Sequence, residues 1–302
     1  SENQVDWIMD FSMLHNNSND MDMEQAQNLF QTAFSDVWKN ALEDDPFNRL
    51  VLGAGLTGRN VTILRSYAKY MRQIGTSFSR DYIANTLANY PKIAIHLVEL
   101  FHQRFDPKSK RNAKQESATL STIKEQLENV SNLDDDRIIR RYLALILATL
   151  RTNFYQPDES GNQKSYISYK MLPELISEMP LPKPKFEIFV YSPRVEGVHL
   201  RGGKVARGGL RWSDRQEDFR TEILGLVKAQ QVKNTVIVPV GAKGGFVCKN
   251  LPMDQGREAF QKEGQECYKI FIRSLLDITD NIVEGNVVHP KDVVRLDEDD
   301  PY

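Results

Sequence analysis

Three prolines in five residues, Pro180, Pro182 and Pro184, constrain this chain more than any other feature. Each ring locks its own φ, removes a backbone donor and pushes the preceding residue out of the α region, so no helix crosses 179–184. Ahead of this connector, apolar residues recur at helical spacing. Over 23–42 the residues Ala26, Leu29, Phe30, Ala33, Phe34, Val37, Trp38 and Ala41 line one face of an amphipathic helix. Further helices are predicted over 60–74, 79–88, 91–105, 118–130 and 134–154, with Pro91 suited to a first turn and Asp106-Pro107 ending the helix before it. Behind the connector the pattern alternates. Strands are predicted over 186–191 and 197–201, then a Gly-rich turn region to Trp212 and a helix over 217–232. A strand over 235–239, a Gly-rich turn, a short strand over 246–248 and a helix over 254–279 follow. Strands alternating with helices indicate an α/β layer. The expected class is α+β for the whole: a largely helical domain over 1–182, then a mixed-sheet α/β domain over 183–302.

Composition removes several classes. A chain of 302 residues, 40% hydrophobic and 26% charged, is a folded globular chain of about two domains, not a disordered one. With 39 Lys and Arg against 41 Asp and Glu it is no polycation, so any anion site must be local. The two cysteines, Cys248 and Cys267, form neither a disulfide framework nor a Cys-x-x-Cys pair, which points to a reducing compartment. The longest apolar run, 142–150, is flanked by Arg140, Arg141 and Arg151 and falls far short of the ~20 residues of a membrane span. The start, Ser1-Glu2-Asn3, shows no signal peptide, and the absence of an initiator Met suggests an excised chain.

Three motifs compete for a function. Gly53-Ala54-Gly55-Leu56-Thr57-Gly58 fits the dinucleotide fingerprint, yet a helical pattern follows it with no second strand or ribose-holding acid, so a Gly-rich loop between helices is expected. Two Arg-Gly-Gly triplets, at Arg201 and Arg207, match RNA-binding tails in composition but lie between predicted strands, which favours a folded loop system. From Lys183 to Lys249, however, there are 13 Lys and Arg against 6 Asp and Glu, a surplus that calls for an anionic ligand. Within it stands Pro239-Val240-Gly241-Ala242-Lys243-Gly244-Gly245, which lacks the spacing and the Ser or Thr of a phosphate loop. Glycines on both sides leave the Lys243 ammonium unshielded and let backbone approach a ligand. Lys233 and Arg207 are expected to converge on the same cleft. Three such cations bind carboxylates and depress one lysine's pKa toward a base's range.

Together these segments resemble glutamate dehydrogenase. The carriers are Arg207-Gly208-Gly209-Leu210-Arg211, Val232-Lys233-Asn234 and Gly241-Ala242-Lys243-Gly244-Gly245 in that order. The run Tyr191-Ser192-Pro193-Arg194-Val195-Glu196-Gly197-Val198-His199-Leu200-Arg201, with Trp212-Ser213-Asp214-Arg215, is similar to the large NAD-specific members. The resemblance implies oxidative deamination of L-glutamate to 2-oxoglutarate and ammonia. It implies Lys243 as the catalytic lysine that activates water for addition to the iminium. Lys233 is implied for the α-carboxylate, and Arg207, where shorter enzymes carry lysine, for the side-chain carboxylate beside Gly208 and Gly209. The turn before Lys243 is one residue shorter than in those enzymes.

In the family a catalytic aspartate and a nicotinamide-binding domain follow the lysine. Asp297, Asp299 and Asp300 do not match the aspartate's context. The resemblance therefore implies a truncated chain with NAD bound in the full-length enzyme and no cofactor or metal expected here. It also implies a cytoplasmic homo-oligomer with a small-molecule substrate and neither nucleic acid nor membrane as partner. Two alternatives stay open: a non-catalytic module binding an anionic metabolite or nucleic acid, and an assembly piece whose helical half makes oligomer contacts.

Overall fold

Side-chain caps mark where the helices begin. In the computed structural model, which describes residues 22–233 and 240–301, Thr57 Oγ1 accepts from the Asn60 amide (3.2 Å), and Ser79 Oγ does the same for Tyr82 (3.1 Å). Asn112 caps through Lys114 (3.0 Å) and Asn132 through Asp134 (2.8 Å), satisfying amides that the first turn leaves without a partner. The resulting helices are α1 (Met23–Trp38), α2 (Arg49–Gly53), α3 (Gly58–Gln73), α4 (Arg80–Asn89), α5 (Pro91–Phe105), α6 (Ala113–Leu127) and α7 (Leu133–Ala148). Pro91 takes the first turn of α5, as its missing N–H allows. The Asn112 cap starts α6 five residues ahead of the expected position.

The chain then turns to sheet earlier than the sequence suggests. The helix expected to run to Phe154 stops at Ala148, and β1 (Thr149–Thr152) and β2 (Ile167–Met171) pair antiparallel. An apolar run suits a buried strand as well as a buried helix, and here cross-strand partners decide. Arg151 and Lys170 are buried in these strands because Asp297 and Asp300 reach them. β3 (Phe186–Tyr191), β4 (Val195–Arg201), β5 (Gly208–Ser213), α8 (Phe219–Lys233), β6 (Ala242–Cys248) and α9 (Gly256–Leu276) follow, then a small hairpin of β7 (Asn281–Val283) and β8 (Asn286–Val288).

The main sheet runs β1-β2-β3-β4-β6-β5. It is antiparallel except at its edge, where β5 pairs parallel to β6, a pairing that requires a crossover, supplied here by α8. Because β1 and β2 precede the Pro180–Pro184 connector, the sheet spans both sides of the boundary expected at residue 182. One hydrophobic core joins Phe101, Tyr67 and Tyr142 of the helices to Tyr169, Phe189, Leu200 and Val247 of one sheet face and Ile223 of α8. On the other face Val190, Val195, Phe246 and Cys248 pack against Cys267, Phe271 and Leu275 of α9. Both cysteines are buried free thiols. Among the described residues no helix is long and apolar enough to cross a membrane.

Candidate active site

Two expected turns around the site are strands. The segment 208–213, expected as part of a Gly-rich turn region, forms the edge strand β5, and Lys243 lies in β6, not in a turn. Glycine makes this possible through close packing. A Cβ on Gly208 would overlap the Ala242 carbonyl. One on Gly244 would stand 2.5 Å from Leu210 Cδ2 and 2.9 Å from His199 Cδ2. The glycines thus let β4, β5 and β6 close up around Lys243. The expected strand over 235–239 lies outside the described residues.

Register then sets the candidate residues side by side. Lys243 is opposite Leu200 on β4 and Gly209 on β5, and its Nζ lies 3.6 Å from where a Gly209 Cβ would stand. Gly209 leaves the ammonium room to lie across the edge strand. The Ala242 amide donates to the Arg207 carbonyl (3.1 Å) and the Gly202 amide to the Gly241 carbonyl (3.1 Å), so both ends of the 202–207 loop are tied to the start of β6. The Arg207 side chain is exposed, and Lys243 is half-buried. The last turn of α8 abuts this point, since a Cβ on Gly241 would overlap the Gln230 amide group, and Lys233 ends the helix three residues on. The backbones of Arg207, Gly208, Gly209 and Lys243 are therefore brought together, with the end of α8 beside them.

The structure also sorts the basic surplus of this region. Arg220 is buried against Glu187 (2.7 Å), Arg211 meets Glu222 (2.7 Å), Arg194 meets Glu263 (2.6 Å), and Lys204 meets Glu298 (3.0 Å). Arg201 is held by both oxygens of Asp300 (2.6 and 2.9 Å). Among the described residues Arg207 and Lys243 have no carboxylate partner, so their charge is available to a ligand. On the opposite sheet face, burial and then the neighbouring Arg201 push the His199 imidazole down to about 4, which keeps it neutral at pH 7.

One contributor escapes sequence reasoning. Asp300 reaches back from the end of the chain to Arg201, and Arg201 Nη2 donates to the Lys204 carbonyl within the loop that leads to Arg207. The acidic cluster at 297–300 is the only sequence signal, and nothing local couples it to a strand a hundred residues away. Asp280, His289 and Asp299 gather their ligand atoms closely enough for a metal. Arg151 on Asp280 (3.1 Å) and Arg295 on Asp299 (2.8 Å) already neutralise that group, which makes it an ion-pair cluster. The Gly53–Gly58 run joins α2 to α3, with a helix where the dinucleotide motif needs a strand.

Residues 122–302 match the family described as bacterial NAD-glutamate dehydrogenase, catalytic domain, and residues 42–107 match glutamate dehydrogenase, helical motif 3. The chain is 56% identical over 296 residues to an NAD-specific glutamate dehydrogenase of Halomonas elongata and 57% identical over 300 residues to one of Pseudomonas aeruginosa. Each alignment takes in 98% of this chain but 18% of the relative, so the chain spans under a fifth of their length. A Neurospora crassa protein of the same name is 26% identical over 74% of this chain and 22% of its own length. The bacterial catalytic-domain match takes in α7, every strand of the main sheet, the edge at which Gly209 faces Lys243, and α9. By that match this chain belongs to the bacterial NAD-glutamate dehydrogenase catalytic-domain family.

Proposed function

We propose that this chain supplies the substrate cations and the catalytic lysine of an NAD-dependent glutamate dehydrogenase, which oxidatively deaminates L-glutamate to 2-oxoglutarate and ammonia. The observation that carries the reading is Lys243 Nζ lying over Gly209 without a carboxylate partner, in register with the loop that ends at Arg207. Arg207 grips the side-chain carboxylate, its planar fork suited to bidentate contact, and Lys233 takes the α-carboxylate. Gly208 and Gly209 keep side chains out of the space between them. Lys243 holds the water that adds to the substrate iminium and accepts its proton. NAD, when bound, supplies the hydride acceptor. The resemblance adds a cytoplasmic homo-oligomer as the working form.

Lys243→Ala in the full-length enzyme is expected to lower turnover by two to four powers of ten, the usual contribution of a positioned acid or base (~10²- to 10⁴-fold). Lys243→Arg is expected not to rescue, because a guanidinium does not release its proton near neutral pH. Steady-state kinetics with either variant near wild-type turnover would sink the assignment.

A further inference from the structure

Every buried arginine among the described residues carries a carboxylate. Arg65 holds Asp45 (2.8 Å), Arg104 Glu116 (3.4 Å), Arg151 Asp297 (2.6 Å), Arg201 Asp300 (2.6 Å) and Arg220 Glu187 (2.7 Å). Arg59, at the start of α3 and half-buried, has no such partner among the described residues. Its Nη1 donates to the Lys164 carbonyl (2.8 Å) and its Nη2 to the Phe154 carbonyl (3.0 Å), and the guanidinium lies 4.6 Å over the Phe154 ring. Carbonyl dipoles and a ring face orient the cation without neutralising it. Its Nε is buried with no acceptor. Of five guanidinium N–H donors these contacts use two, leaving three. Burial without a counter-charge pushes the pKa of Arg59 down to about 10.

Arg59 stands on the wall between two cavities, of about 610 and 350 Å³. The larger is also lined by Thr57, Asn60, His102, Lys108 and Tyr155. Two acids line it as well, Asp106 and Asp292. Asp106 is committed to the Lys108 amide (2.9 Å) and the Ser109 hydroxyl (3.0 Å), and neither acid pairs with Arg59. His102 adds no charge: burial lowers its pKa, and its ring nitrogens are taken by the Tyr155 hydroxyl and by Asn60 Oδ1 (3.0 Å). The cations facing the cavity are Arg59 and Lys108, with Asn60 and Thr57 as polar neighbours. None of these residues belongs to the glutamate site proposed above.

We infer that the cavity beside Arg59 is a binding site for a small oxyanion, a carboxylate or phosphate group, with Arg59 as its anchor and Lys108 as the second cation. The anion is the counter-charge that this arginine lacks among the described residues and that each buried arginine has.

The test follows the Arg59 Nε–H resonance of the ¹⁵N-labelled chain during titration with inorganic phosphate and, separately, with acetate, at ionic strength held constant with chloride. A saturable shift with one of the two is expected, and which one it is assigns the chemistry. Arg59→Lys keeps the charge but loses the fork, and exposed Lys108→Met leaves the packing untouched. Each is expected to weaken binding about tenfold, the loss of one charge-assisted contact. The site is refuted if neither anion saturates the signal, or if both variants bind, by calorimetry, as tightly as the wild type.

Discussion

Arg207 and Arg220 lie within one short stretch, yet their surroundings give them opposite roles. Arg220 is buried in a bidentate pair with Glu187, whereas among the described residues the exposed guanidinium of Arg207 meets no carboxylate. If Arg207 receives the side-chain carboxylate of glutamate, Arg207→Met removes a charge-assisted contact worth ~1.5–3 kcal/mol. That contact is made in ground and transition states alike, so the loss is expected in KM for glutamate more than in turnover. Alanine has no group for Arg207, and its poor efficiency is expected to stay nearly unchanged. Equal losses for glutamate and alanine in kcat/KM would make Arg207 a structural residue of its loop. Glu43 shows the same dependence on surroundings. Burial raises its pKa, but Lys249 and Lys69 outweigh that and hold the carboxyl down to about 2, from 4.5. A depressed carboxylate stabilises the fold above the unfolded value and loses that contribution as pH falls through 4.5 toward 2. Glu43→Gln is therefore expected to cost on the order of 2–3 kcal/mol at neutral pH. The difference from wild type in urea melts should shrink steadily below pH 4.5. A difference independent of pH would show that packing, not charge, sets the effect.

At the scale of elements, the site depends on an edge strand held unusually close to its neighbour. Among the described residues β5 is exposed along most of its length and pairs with β6 alone, yet it carries Gly208 and Gly209 past Ala242 and Lys243. Gly208→Ala forces a methyl group into the Ala242 carbonyl, and backbone cannot yield as a flexible side chain can. The expected result is that β5 peels from β6 at its first residues, at a cost of about 1–3 kcal/mol. Because no strand lies beyond β5 among the described residues, the rest of the sheet should persist. Hydrogen exchange should show faster amides over 208–210 with the β3 and β4 amides unchanged, and turnover should fall with them. Unaltered exchange at Gly209 would mean that the strand tolerates the methyl group and that its closeness serves no function.

The whole molecule is tied together by groups that lie far apart in sequence. Lys249 bridges Glu43 and Glu196 (3.0 Å to the latter), Lys69 reaches both (3.5 and 3.2 Å), and the Tyr191 hydroxyl donates to Glu43 (3.0 Å). This cluster fastens the segment after α1 to α3, β3, β4 and the end of β6 beside a core that runs from Ala33 to Val247. A shared core makes cooperative unfolding the expected behaviour. Far-ultraviolet dichroism, dominated by the helices, and fluorescence from Trp212 on β5, read in a variant with Trp7 and Trp38 replaced by Phe, should report one coincident midpoint. Two separated transitions would instead establish independent units meeting at the 182 boundary.

Sequence alone placed α1, α3, α4 and α5, because caps and apolar spacing act within a few residues: Thr57, Ser79 and Pro91 stand where α3, α4 and α5 begin, whereas the short α2, the start of α6 and the end of α7 were not legible. It also determined β3 and the order of the basic, Gly-flanked segments on which the resemblance rests. Tertiary structure decided whatever depends on a distant partner. Polar Arg151 and Lys170 enter buried strands only because Asp297 and Asp300 return to meet them, and no local pattern announces that. Glycines that suggest turns became strand residues at 208–209 and 244–245 because neighbouring strands and α8 occupy the space a side chain would need. Thirteen cations in one stretch look alike in sequence. Which of them remain free for a ligand is set by carboxylates from elsewhere in the fold, since a charge is neutralised by what stands within a few ångströms of it, not by what lies near it along the chain.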